Sequence, residues 1–255
     1  RIYKNFLWLD QKYARPGAAC GLFAFSFAAG PAMMAAARPK LRERAGYFIG
    51  LGAYFDLKAV LRHLTTGGRG SEPAYPGGPP LRVGKWLFLR YNMELFGFEN
   101  YRAEIEEIVR RKIAGEKADV PPSAARLPGR FKRLLALLEN REPGRFEALF
   151  DAQPKPMRAK LGEWSMRPLI SKTRMPVYLL HGRSDPFVPP SESLRLAAAA
   201  RRRGPGAGGV YLMVAGSLGH VDPGAGSGGA GWARYLEAMR LWGFVSRVLT
   251  RMEGG

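Results

Sequence analysis

The stretch AFSFAAGPA, residues 24–32, decides the fold, because it carries the chain from an apolar run into helix-forming sequence. The apolar run covers residues 20–25, a length typical of a buried strand. Helix-forming residues follow at 31–37. Ser26 stands at the junction, so the pattern predicts a strand that turns directly into a helix at a serine.

The residues on either side of Ser26 are small, with Ala24 two positions before it and Ala28 two positions after it. A sharp strand-to-helix turn needs small residues there, because the two backbones approach each other closely. Such a turn exposes the serine hydroxyl beside the N-terminus of the following helix. The alternative is an ordinary buried serine in an alanine-rich segment.

Three more short apolar runs predict strands: GYFIGLGAY at 46–54, MPVYLLHG at 175–182 and GVYLMVAG at 209–216. Helical sequence alternates with the runs, and the predicted helices cover residues 2–13, 57–64, 191–203 and 232–252. Alternating strands and helices predict a three-layer α/β fold with a parallel sheet and right-handed crossovers.

One connection is too long for a simple crossover. Residues 65–174 open with the Gly- and Pro-rich stretch TTGGRGSEPAYPGGPP and continue with helical sequence such as NYRAEIEEIVRRKIAG. We therefore expect a helical insertion, either a cap over a site or a second packing layer. Its aromatic residues are expected to form a core of its own: Trp86, Phe88, Tyr91, Phe96 and Phe98.

The most specific motif is LLHGRSDPFVPPSES, residues 179–193, in which a buried strand ends and Asp185 follows in a proline-rich turn. An aspartate at that position can accept a hydrogen bond from an imidazole. Asp56, directly after the second strand, is an alternative acid. It is disfavoured because it precedes a helix, where a capping role is common.

His220 lies in the segment AGSLGHVDP, residues 215–223, just past the last strand. The carboxyl ends of parallel strands meet at one edge of a sheet, and this edge is where ligands bind in open α/β folds. Ser26, Asp185 and His220 are therefore expected to meet at one edge.

The net charge of +19 raises the question of an anionic partner. The basic residues are scattered and are not interleaved with aromatic residues, which disfavours nucleic acid. The uncharged run 17–37 is weakly apolar and contains a proline, which disfavours a transmembrane helix. A basic protein at an anionic membrane surface stays as an alternative.

Neither a cofactor nor a metal is expected. His63, His181 and His220 have no metal-ligand spacing, and His63 is expected on a helix surface. The single cysteine excludes a disulfide within the chain. No secretory signal peptide is visible, which favours a cytoplasmic location.

Together these motifs resemble the α/β-hydrolase family, and most closely its esterase- and dienelactone-hydrolase-like members. The resemblance covers residues 15 to about 250 and includes the chain order serine, aspartate, histidine. It implies that Ser26 is a nucleophile, His220 a general base and then acid, and Asp185 the residue that orients His220. It also implies that the Phe27 N–H binds an oxyanion, and that the substrate is a small ester or acyl compound.

Two features depart from the family pattern. Alanine replaces both glycines of G-x-S-x-G, and few residues precede the serine, although family members place several strands and a second oxyanion donor there. Losing one donor costs about 100- to 1,000-fold in rate. We therefore expect an N-terminally incomplete core over 1–64 and 175–255 with a cap at 65–174. The chain is then either an active serine hydrolase or a hydrolase-like binding domain without turnover.

Overall fold

A computed structural model describes residues 1–13, 20–67, 83–115, 125–218 and 232–252. Its four strands are β1 (Leu22–Phe25), β2 (Phe48–Leu51), β3 (Val177–Gly182) and β4 (Val210–Ala215). Its helices are α1 (Ile2–Tyr13), α2 (Ala29–Ala36), α3 (Pro39–Arg44), α4 (Leu57–Thr66), α5 (Gly84–Tyr91), α6 (Met93–Phe96), α7 (Arg102–Ala114), α8 (Arg130–Glu139), α9 (Phe146–Asp151), α10 (Lys155–Trp164), α11 (Pro190–Arg201) and α12 (Trp232–Met252).

The four strands form one parallel sheet in the order β1-β2-β3-β4. Each strand lies inside the apolar run that predicted it, and it is shorter than that run by one to three residues at one or both ends. The order of the strands in the sheet follows their order in the chain, and helical sequence joins each strand to the next, as parallel pairing requires. The predicted parallel α/β fold is confirmed.

Both faces of the sheet are covered, which gives three layers. On one face the strands pack with helices α1, α2, α3 and α11, and the fully buried Met33 and Leu196 lie in this layer. On the other face Ile49 and Tyr178 pack against Phe244 of α12. Alternate side chains of a strand point to opposite faces, so each strand supplies both layers.

Helix α12 has the predicted bounds, but its apolar residues do not all face the sheet. Phe244 is buried and Leu241 and Val248 are half-buried, whereas Trp242 is 68% exposed. Helical spacing predicts an apolar stripe, but it does not say which of two stripes contacts the sheet.

The described chain divides into two compact units, one of residues 1–57 and 164–255 and one of residues 58–163. The second unit is helical, and Phe98 packs edge-on against Phe131 in its core, with ring centroids 5.4 Å apart. Of the predicted core aromatics, Trp86, Phe88, Phe96 and Phe98 are buried. Two expectations are wrong: Tyr91 is 75% exposed and His63 is buried. The cap role of this insertion stays a prediction.

Within the described residues, no helix is both long and apolar enough to cross a bilayer. The described part of the uncharged run, residues 20–37, contains strand β1, a tight turn and helix α2.

Gly30 lets helix α2 approach the loop that follows β2. A Cβ at this position would lie 1.8 Å from the Tyr54 hydroxyl oxygen and 2.5 Å from the Trp164 carbonyl oxygen. Tyr54 donates a hydrogen bond to that carbonyl at 2.9 Å, and burial raises the pKa of Tyr54, so its donor proton is retained. The start of α2 is thereby fixed next to the end of β2.

Candidate active site

Ser26 has a left-handed backbone. Phe25 ends β1 in an extended conformation, and Ser26 follows with φ of +49°. Among the described residues it is the sole non-glycine with positive φ. An L-residue adopts this conformation at a cost of about 1–2 kcal/mol. Such strain persists where surrounding packing enforces it, and it concentrates at functional sites.

The turn passes into helix α2 without a loop. Residues Ser26–Ala28 form a single 3-10 turn, and the Ala29 N–H bonds to the Ser26 carbonyl. Ala24 and Ala29 are buried, and the Ser26 side chain is half-buried. The predicted strand-serine-helix junction is therefore present. Phe27 occupies the first turn, with its ring centroid 6.0 Å from that of Tyr54. Its role as an oxyanion donor stays a prediction.

The Asp185 carboxylate is fully buried just past the end of β3. Its Oδ1 accepts hydrogen bonds from the backbone N–H groups of Phe187 at 2.8 Å and Val188 at 3.0 Å. Its Oδ2 lies 3.3 Å from Nε2 of His181. Donors on both oxygens stabilise a carboxylate in a place where water does not reach it.

His181 is a member of the site that sequence reasoning missed. Its Nε2 faces the Val188 carbonyl at 2.8 Å as well as Asp185, so Nε2 carries a proton. Its Nδ1 lies 2.6 Å from the Ser193 hydroxyl, which also lies 3.0 Å from the Ala53 carbonyl. This network ties the turn around Asp185 to the start of α11 and to the loop after β2. The sequence feature that pointed to this contact is the four-residue spacing between His181 and Asp185.

Glu192 is the second member that was missed. It is fully buried in the first turn of α11, and its Oε2 accepts the N–H groups of Phe55 at 2.9 Å and Asp56 at 2.7 Å. Oε1 pairs with Arg195 at 3.2 Å. Burial raises the pKa of Glu192, while the two amides and Arg195 lower it. An acidic residue in the first turn of a helix is usually solvated, so the sequence alone did not predict this burial.

Ser26 and Asp185 follow β1 and β3, which are separated by β2 alone. Neighbouring strands lie about 4.8 Å apart, so the two strand ends are on the order of 10 Å apart at one edge of the sheet. Asp56 follows β2 between them, and its carboxylate lies 3.8 Å from the exposed Arg167.

His220 lies outside the described residues. The described chain before it runs beside the Asp185 turn, because the Arg183 N–H bonds to the Ala215 carbonyl at 2.7 Å. The Ser184 hydroxyl also donates to the Leu218 carbonyl at 3.5 Å. Two residues before His220, the backbone is therefore next to the residue that precedes Asp185.

In the part of the chain that the structure describes, no three His, Cys, Asp or Glu side chains are grouped so that they could hold a metal ion.

No protein-family profile and no curated protein sequence matches the chain. Solved structures do match. A meta-cleavage product hydrolase from Pseudomonas fluorescens is 18% identical over 92% of this chain and 66% of its own, with a TM-score of 0.33. An esterase from Pyrococcus furiosus is 12% identical over 98% of this chain and 59% of its own, with a TM-score of 0.40. An α/β-fold family hydrolase from Bacillus anthracis is 12% identical over 96% of this chain and 72% of its own, with a TM-score of 0.43.

The chain spans less than two thirds of the length of the first two structures. The matching structures include many α/β hydrolases, the family that the sequence motifs resemble. Because all three TM-scores are below 0.5, no residue role is transferred from these structures to this chain.

We expect Glu192→Ala to lower the free energy of unfolding by about 1–3 kcal/mol, because two backbone amides lose their buried acceptor. Glu192→Gln keeps an oxygen for both amides and is expected to lose less. Urea unfolding at neutral pH measures both changes. An alanine variant as stable as the parent would show that this carboxylate does not hold the loop.

The difference in stability between the parent and Glu192→Gln is also expected to depend on pH. A carboxyl group whose pKa is raised on folding binds more protons in the folded state, so its contribution to stability falls as pH rises from its unfolded pKa of about 4.3 to its folded pKa. The parent is therefore expected to gain stability relative to Glu192→Gln as pH falls through this window. A stability difference that is constant with pH would contradict the raised pKa.

Proposed function

We propose that the chain is a serine hydrolase that cleaves carboxylic esters or related acyl compounds, with Ser26 as the nucleophile. The observation that carries the proposal is the left-handed backbone of Ser26 between a strand and a helix. This geometry exposes a serine hydroxyl at the N-terminal end of a helix, where developing negative charge is favoured.

The reaction follows the logic of a Ser-His-Asp triad. Ser26 Oγ attacks the acyl carbonyl carbon as His220 takes the hydroxyl proton. The Phe27 N–H donates to the oxyanion of the tetrahedral intermediate. The C–O bond to the leaving alcohol then breaks, His220 protonates that alcohol, and an acyl-Ser26 ester remains. Water, deprotonated by His220, attacks this ester and releases the acid, and the proton returns to Ser26.

The buried Asp185 carboxylate is suited to orient His220. Two backbone amides donate to Oδ1 and His181 faces Oδ2, and these contacts fix the position of the carboxylate at the end of β3. The contact of Ser184 with Leu218 supports this role, since it brings the chain that leads to His220 beside Asp185. Asp56 is less suited, because its carboxylate faces the exposed Arg167.

Replacing the nucleophile tests the proposal most simply. We expect Ser26→Ala to reduce kcat for p-nitrophenyl butyrate by at least about 1,000-fold, because the acyl-enzyme can no longer form. The matched control is Ser171→Ala, at an exposed serine on the same unit, which is expected to keep the parent rate. Hydrolysis that survives in Ser26→Ala, or a parent chain without turnover, would contradict the proposal.

The identity of the acid is tested by a pair of amide variants. Asp185→Asn is expected to lower kcat by about 10,000-fold, because an amide in that place favours the wrong imidazole tautomer. Asp56→Asn, at the alternative acid, is expected to change kcat little. Steady-state ester hydrolysis measures both variants, with urea unfolding to check that each is folded. A larger loss in Asp56→Asn would instead assign the acid to Asp56.

A further inference from the structure

Among the described strands, β4 is the outermost next to β3, and half of its backbone hydrogen-bonding groups point away from β3. The Val177 N–H bonds to the Gly209 carbonyl, and the Arg183 N–H bonds to the Ala215 carbonyl. In a parallel pair alternate residues face the neighbouring strand. The odd-numbered residues of β4 therefore face β3, and the even-numbered residues direct their N–H and C=O groups to the outer edge.

A groove of about 1150 Å³ runs along this edge between β4 and α12. We call it the β4 groove, and it is lined by strand residues 210–214 together with Leu236 and Met239 of the helix. Both helix residues are exposed although they are apolar. An open strand edge beside apolar side chains is a template for an added strand.

Four arginines line the β4 groove: Arg183, Arg201, Arg240 and Arg247. None of them forms an ion pair with a carboxylate among the described residues. The lining also includes Glu237, whose Oε1 accepts the Ser217 N–H at 3.0 Å. The groove therefore has an excess of positive charge.

We propose that the β4 groove binds an extended acidic segment of a partner protein, which adds to β4 as a fifth strand. Backbone groups of the segment would pair with the even-numbered residues of β4. Its carboxylates would meet the arginines, whose planar guanidinium groups bind carboxylates through two parallel hydrogen bonds. Its apolar side chains would contact Leu236 and Met239.

A second copy of this chain fits the groove less well. Pairing β4 with β4 about a two-fold axis would place the same surface on both sides of the interface. Arginines would then oppose arginines, in a chain whose net charge is already +19. Like charges brought together at an interface disfavour the complex, so charge complementarity points to an acidic partner.

The experiment uses the full chain and a fluorescein-labelled peptide of alternating aspartate and valine, with binding followed by fluorescence anisotropy. The acidic peptide is expected to bind, with affinity that falls as salt rises. A version N-methylated at every residue is expected to bind at least about tenfold more weakly, because neither of its edges keeps an N–H group that could donate to the carbonyl groups of β4. A lysine-valine peptide is expected not to bind.

Two neighbouring arginines supply the matched variants. Arg201 lines the groove and Arg202 does not, and both are exposed. Arg201→Glu is expected to weaken peptide binding at least about fivefold, and Arg202→Glu less than about twofold, although both change the charge equally. Equal effects of the two variants, equal binding of the N-methylated peptide, or no binding to the parent would overturn the proposal. A parent chain that dimerises and excludes the peptide would also overturn it.

Discussion

The backbone of Ser26 has a φ of +49°. Several features of the compact unit that contains the sheet follow from this conformation. To pass from an extended strand into a helix without a loop, the chain must turn sharply, which brings α2 close to its surroundings. Gly30 permits that approach, because a side chain there would collide with Tyr54. Tyr54 is in turn fixed by its bond to the Trp164 carbonyl. The cost of the strained serine is thus offset by packing that holds the turn in place.

A second set of buried polar groups holds the ends of β2 and β3. His181, Asp185 and Ser193 form one network, and Glu192 with two backbone amides forms another. Groups of this kind are costly to bury unless each finds a partner, so they favour a single arrangement of the loops. Both networks include residues of the first turn of α11. That helix therefore supports the loops at the edge of the sheet where Ser26 and Asp185 lie.

Much of the fold could be predicted, because short apolar runs and helical periodicity are local properties of the sequence. All four strands were found in this way, and α12 has the predicted bounds. The serine turn was predictable as well, since a left-handed serine needs small neighbours that are visible in the sequence. The face of α12 that contacts the sheet was not predictable, because Trp242 and Phe244 have similar hydrophobicity and only packing decides between them.

The burial of certain polar residues could not be predicted from the sequence either. Glu192 and His63 belong to residue types that are usually solvated or half-exposed, so sequence patterns place them at the surface. The structure buries both. For Glu192 the reason is visible: two backbone amides far away in the chain need an acceptor. Such needs arise from tertiary structure, and no local pattern shows them.

The most direct test of the strained serine compares the stability of Ser26→Gly with that of Ser26→Ala by urea unfolding. At ordinary positions alanine is more stable than glycine by about 0.5–1 kcal/mol. At a left-handed position the order reverses, because glycine has no Cβ to strain. We predict that Ser26→Gly is the more stable of the two by about 1 kcal/mol. An alanine variant equal to or more stable than the glycine variant would contradict it.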